Sequence, residues 1–342
     1  MKTFKIKTIL IVLLVTILTV SCDEEDPNIN PQTESDVYVC GYENNGQNEI
    51  ATYWKNGVAT HLTDGTNGAY LNAIIVVDND VYNVGFESNG TKNVAKYWKN
   101  DIATALTNGN NNAYATDISV IGNDAYVVGY EYETNAVAKY WKNGVATSLS
   151  NGTRPAFGNA IIVVGSDVYV AGYEFNGTNG IATLWKNGVA TYLTNGSNNA
   201  YANGITMVGN NVYVVGSEDS NKKGVATYWK NGVATSISDG TKNVRAIAMS
   251  VVGSDKYVAG YENNGTKNIA TYWKNGVVTS LTDGTNHADA TAITVIGNDV
   301  HIVGFENNGI NNVARYWKND TVVPLVKNTV IASGAFGMFI TQ

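Results

Sequence analysis

DVYVCGYENNGQNEIATYWKNGVATHLTDGTNGAYLNAIIVVDN, residues 36–79, is one period of a text that fills most of this 342-residue chain. Its tryptophan, Trp54, recurs as Trp98, Trp141, Trp185, Trp229, Trp273 and Trp317, at spacings of 44, 43, 44, 44, 44 and 44 residues. A period of this length belongs to propellers and solenoids, whose units bury their faces only against neighbouring units. Each unit holds four short runs rich in β-branched and aromatic residues and no helical stretch. Asn-Gly pairs at Asn56, Asn143, Asn187, Asn231 and Asn275 suit type I′ hairpins, which need positive φ at both central residues. Asn100-Asp101 and Asn319-Asp320 fill that place in the other two units. The expected fold is all-β: seven units of four antiparallel strands, a seven-bladed β-propeller.

The order of strands within a blade follows from polarity. NAIIVV is apolar throughout, as a strand buried on both faces must be, and becomes the innermost strand A. VYVVGYE and VAKYWKN follow as B and C. The polar VATSLT segment becomes the outer edge strand D, and Pro324 in the last copy is tolerated only at such an edge. The repeats begin at Asp36 with strand B and finish over residues 332–342 with an A-like strand centred on FGMFI. Pairing the two termini in one blade, B to D from the N-terminal end and A from the C-terminal end, closes a ring without a free seam.

The W-K-N-G turns, the A-x-A-I strands and the V-V-G strands resemble bacterial HAF-type repeats over residues 36–342, which implies an extracellular propeller. The first residues agree with that address. Lys2, Lys5 and Lys7 precede an apolar run from Thr8 to Val20, the length of a signal-peptide core and too short for a membrane span. The run ends in Thr-Val-Ser-Cys22, which resembles a lipobox and implies lipidation of Cys22, with Thr19 departing from the usual aliphatic residue. The expected organisation is a signal peptide over 1–21, an acidic tether over 22–35 and the propeller over 36–342. The acidic residues after Cys22 resemble an export signal to the outer face of the outer membrane, and a solvated spacer explains them equally. Net charge is −7. That balance argues against nucleic acid and anionic lipid as partners, leaving the membrane to the lipid anchor alone. With Cys22 taken by the lipid, Cys40 is left without a cysteine partner in the mature chain. It occupies the place of Val84, Val128 and Ala171, so it reads as a small buried hydrophobe.

A residue present in all seven units is most simply architectural, whereas a single site must break the pattern. By that rule the tryptophans pack beside the glycine of the VVGYE strand. Glu43 and its counterparts accept backbone N–H groups of the next loop. The Asp-Gly-Thr-Asn loops are turns rather than calcium sites, because Asp64 becomes Asn108, Asn151 and Asn195. The informative departures stand sixteen residues after each tryptophan: Tyr70, Tyr114, Phe157, Tyr201, Arg245, Asp289 and Ser333. Two residues further on are Asn72, Thr116, Asn159, Asn203, Ile247, Thr291 and Ala335, and Asp117 places a carboxylate where other blades have alanine. Aromatic faces beside amides and carboxylates suit sugar rings, so Tyr70, Tyr114, Asp117, Phe157, Tyr201, Arg245 and Asp289 are the candidate ligand-binding residues. The competing reading is that the aromatics seal the blade tops.

No zinc spacing, nucleophile elbow or phosphate loop occurs, and neither a metal nor a cofactor is expected. His61 falls on strand D, His301 replaces a strand B tyrosine, and His287 lies in a top loop. The leading expectation is a non-enzymatic binding module for a glycan or a surface protein. An interaction scaffold without a small-molecule site is the alternative, and a carbohydrate-active hydrolase or lyase built on Asp117 and Asp289 is the third. A lectin with one pocket per blade also stays open.

Overall fold

A computed structural model describes residues 35–220, 223–325 and 332–341. The expected signal peptide, Cys22 and all of the tether but its last residue lie outside the described residues. The described chain forms seven four-stranded antiparallel sheets, each in the order A-B-C-D. In blade 2 these are A (Ala69–Val77), B (Asp80–Ser88), C (Asn93–Lys99) and D (Ile102–Ala105). Blade 1 is assembled from both ends of the repeat region. Its A strand (Ser333–Ile340) pairs with its B strand (Val37–Asn44), Val37 opposite Ile340 and Glu43 opposite Ser333. Each A strand touches the A strands of both neighbouring blades, so the inner strands close into a ring around an axial channel. The D strand of blade 7 (Thr321–Val323) stops one residue before Pro324, which cannot donate to a ladder.

The core lies between blades. Seven apolar clusters are present, and each places the tryptophan of one blade against the B and C strands of the blade before it. Trp98 packs on Tyr38, Cys40 and Ala51, and Trp317 on Tyr257, Ala259 and Ala270. Trp54 closes the ring against Val303, Ala314 and Tyr316 of blade 7. All seven indoles are at most 1 % exposed. Replacing one by alanine costs about 3–5 kcal/mol. Cys40 is fully buried, and burial pushes its thiol pKa far up, as a packing residue requires.

A bulge in strand A explains both the repeated glycine and the residues that follow the rim aromatics. Between Leu71 and Ala73 the register with strand B slips by one residue, leaving Asn72 unpaired, and every blade repeats the slip. The displaced carbonyl presses on the glycine of strand B. A Cβ at Gly85 would stand 1.9 Å from the Tyr70 carbonyl oxygen, and one at Gly216 1.8 Å from that of Tyr201. The bulged side chain then reaches the next blade. Asn72, Asn159 and Asn203 donate to the carbonyls of Ala115, Ala202 and Ala246 at 2.7–2.8 Å, while Thr116 and Thr291 donate to those of Gly158 and Ala335. Ile247 in blade 6 and Phe336 in blade 1 interrupt the series. These amides and hydroxyls are interblade latches.

Blade 1 corrects the sixteen-residue spacing. There Gly334 pairs with Tyr42 as Tyr70 pairs with Phe86, so Gly334, not Ser333, holds the rim position, and Phe336 is the bulged residue rather than Ala335.

On the bottom face each Asn-Gly turn is tied to the start of strand B. Asn56 has φ 50° and Gly57 φ 77°. Val37 donates to the Asn56 Oδ1, and Asn56 Nδ2 and Lys55 both reach Asp36. The Lys55 ammonium also sits 5.2 Å from the Tyr38 ring centroid. The same arrangement recurs at Asp80, Asp124, Asp167 and Asp255. In blade 7 the ion pair Asp299–Lys318 persists without the tyrosine. There the buried His301 meets the Tyr316 hydroxyl through Nδ1 at 2.6 Å instead.

Candidate functional site

The top rim is built by the first turns of strand A and the last residues of strand B. Tyr70, Tyr114, Phe157 and Tyr201 lie inside their A strands, not in the loops, and each stands opposite a B-strand residue: Phe86, Tyr130, Tyr173 and Ser217. The rings form one continuous arc. Tyr42–Tyr70, Phe86–Tyr114, Tyr130–Phe157 and Tyr173–Tyr201 contacts cross the blade boundaries with centroids 4.7–4.9 Å apart at steep angles. Within blades, Tyr70–Phe86 and Phe157–Tyr173 are stacked at 5.2 and 4.8 Å. Such spacings leave no room for a ligand between neighbouring rings, and each ring is half-buried. Burial raises the Tyr173 hydroxyl to about 12.

The arc ends in blade 5. Ser217 replaces the B-strand aromatic and accepts the Ala246 N–H through Oγ at 3.1 Å. Arg245 then takes the A-strand place. Its guanidinium is exposed, lies 5.9 Å from the Tyr201 ring centroid and neighbours the Tyr261 hydroxyl, and it forms no ion pair among the described residues. Asp289 follows in blade 7 and accepts from Asn268 Nδ2 at 2.9 Å. Burial raises its carboxyl pKa, the Asn268 bond and the charge of Arg245 opposing.

Asp117 stands apart from the rim. It lies past the bulge in the channel wall, where Oδ1 accepts from its neighbour Ile118 N and Oδ2 from Ile161 N of the next blade, both at 2.8 Å. Protein encloses this carboxylate while part of its residue still faces the channel. Burial outweighs the two backbone donors and lifts its pKa from 3.8 to about 7.

The structure also brings forward residues that the sixteen-residue spacing passes over. The strand B partners Tyr42, Phe86, Tyr130 and Tyr173 double the arc, and Tyr132 and Phe175 rise beside it. Tyr132 is 43 % exposed and stands near-perpendicular to Tyr114, Tyr130 and Phe157. Tyr132 and Phe175 occupy the column held by Asn44, Ser88, Asp219, Asn263 and Asn307 in other blades, a departure visible in the aligned repeats.

The repeated glutamates also behave otherwise than expected. Their partners are side chains, not loop N–H groups: His61 for Glu43, Lys96 for Glu87, Lys139 for Glu131 and Arg315 for Glu306. The Asp-Gly loops are Asx turns, Asp64 accepting the Thr66 N–H and Asn108 that of Asn110. His287 joins two loops instead, taking the Asn268 N–H through Nδ1 as Asn112 takes that of Asn93.

Blade number, strand order and an irregular top rim define the class: a seven-bladed β-propeller whose repeats are broken on one face. Among solved structures the chain is similar to Pyrococcus horikoshii acylaminoacyl peptidase (orthorhombic crystal form), with a TM-score of 0.51 and 11 % identity. The match covers 85 % of this chain and 52 % of that one, so the chain spans about half the length of its structural neighbour. At that identity the likeness shows the fold alone. No protein-family model and no curated protein matches the chain.

Proposed function

We propose that this protein is a lipid-tethered binding module that takes a glycan on the top face of its propeller. The observation that carries the reading is the broken symmetry of the rim. Five successive blades contribute rings or their flanking partners, the exposed Tyr132 stands beside them, and the series ends in Arg245, whose guanidinium forms no ion pair among the described residues. Sugars bind where an aromatic wall meets directional polar groups, and both are present in this sector. Rings locked on both sides serve as the floor. Tyr132 and Arg245 are the exposed groups at the rim that engage the ligand. Tethering rests on Lys2, Lys5, Lys7 and Cys22, and predicts that Cys22→Ala releases the protein from the membrane fraction.

The test is a glycan array probed with the protein and with Tyr132→Ala and Arg245→Ala variants. Selective glycan binding, lost in both variants at unchanged melting temperature, supports the reading. Binding that ignores both substitutions, or no binding to any glycan, removes it.

A further inference from the structure

The seven-fold repeat supplies its own control for one further site. In six blades the glutamate near the end of strand B is held by a donor side chain, and the donor arrives from three directions. Lys96, Lys139 and Arg315 reach it from strand C. His61 and Tyr192 reach it from strand D. Lys242 reaches Glu262 from the loop before strand A. Blade 5 has none of these. Its corresponding positions are Thr227, Ser236 and Asn198, and Glu218 has no hydrogen-bond or ion-pair partner among the described residues.

What stands there instead is space. Glu218, Thr227, Ser236 and Asn198 line one cleft of about 970 Å³, open solvent at its mouth included. Among the described residues, the other charged groups nearby are already committed. Asp219 accepts from Asn199, Asp239 caps Thr241, and the Lys223 ammonium turns away to the Thr241 carbonyl. Burial alone raises the Glu218 carboxyl pKa, as expected of a carboxylate desolvated without a compensating cation.

We propose that the blade 5 cleft is a vacated ion-pair slot that receives a lysine side chain from a partner polypeptide, with Glu218 as its acceptor. The occupant is read from the sister blades, where a lysine ammonium fills this slot in blades 2, 3 and 6. The net charge of −7 favours a basic partner at longer range. The site does not depend on the rim reading and uses none of its residues.

Fluorescence anisotropy with a labelled peptide of alternating glycine and lysine tests this, beside the same peptide with its lysines acetylated. Glu218→Gln removes the negative charge of the acceptor, and Asn198→Lys fills the slot as Lys242 does in blade 6. Both should weaken binding about tenfold or more, with Asn198→Lys keeping or raising the melting temperature. Asn110→Lys adds the same charge to the corresponding loop of blade 3, whose glutamate is already paired, and should leave affinity within about twofold. Arg245→Ala should also leave it unchanged. Equal losses in Asn198→Lys and Asn110→Lys, or binding unaffected by Glu218→Gln, would overturn the proposal. Binding that appears only in Lys222→Ala would also overturn it, because the chain's own lysine would then be the occupant.

Discussion

Asp117→Ala should stabilise the propeller at alkaline pH, although it deletes two hydrogen bonds. The carboxyl pKa is 3.8 for a free aspartate and about 7 in the channel wall. A group whose folded pKa is raised binds its proton more tightly in the native state. Stability therefore falls as pH rises from about 4 to 7 and levels off above. The full difference corresponds to about 4 kcal/mol at 1.36 kcal/mol per tenfold. The partial exposure of Asp117 lowers the working figure to about 2 kcal/mol. Alanine or glycine already occupies this position in the other blades, as Ala73, Ala160, Gly204 and Ala292 show, so the backbone N–H groups of Ile118 and Ile161 tolerate its absence. For a domain of this size 2 kcal/mol is roughly 3 °C. Calorimetry of both proteins from pH 4.5 to pH 8 should show the variant gaining on the parent as pH rises. Carboxylates common to both cancel in the difference. A difference that is flat with pH, or a variant less stable at pH 8, would refute the reasoning.

Three further outcomes follow from the architecture. Gly216→Ala drives a Cβ to within 1.8 Å of the Tyr201 carbonyl and should cost more than about 3 kcal/mol, seen as loss of soluble protein or a sharply lower melting temperature. Ile247→Asn places a donor where the latch series is interrupted and should add about 1 kcal/mol by denaturant titration. A loss of stability there would mean that the latch needs more than the right residue. The bottom-face pairs act in the opposite sense to Asp117. Lysine and asparagine bonds hold Asp36, Asp80, Asp124, Asp167, Asp255 and Asp299 below their ordinary pKa. Their contribution is complete above about pH 4 and disappears on further acidification, so Asp124→Asn should flatten the acid limb of the stability curve.

Much of this protein is local text, and local text can be read from the chain. The Asn-Gly turns impose positive φ at Asn56 and Gly57 whatever surrounds them, the tryptophan interval gives the blade count, and the staggered ends of the repeat imply a shared blade. The all-apolar strand A and the polar strand D follow from how much of each is buried. The bulge escaped that reading because it arises from how strand A packs on two neighbours at once. Without it Asn72 looks like a ligand group, Gly85 like a packing allowance and Ser333 like the rim residue of blade 1. The rim escaped for the same reason. Tyr42 and Tyr70 are 28 positions apart in the chain and 4.7 Å apart across a blade boundary. The partner of each glutamate changes strand from blade to blade, so no fixed spacing marks Glu218 as the carboxylate without one. The sequence by itself determined the units and their number, because hydrogen-bonded turns and hydrophobic periodicity are local. Only the tertiary structure decided which polar groups are latches and which remain free, because those contacts join residues one repeat apart.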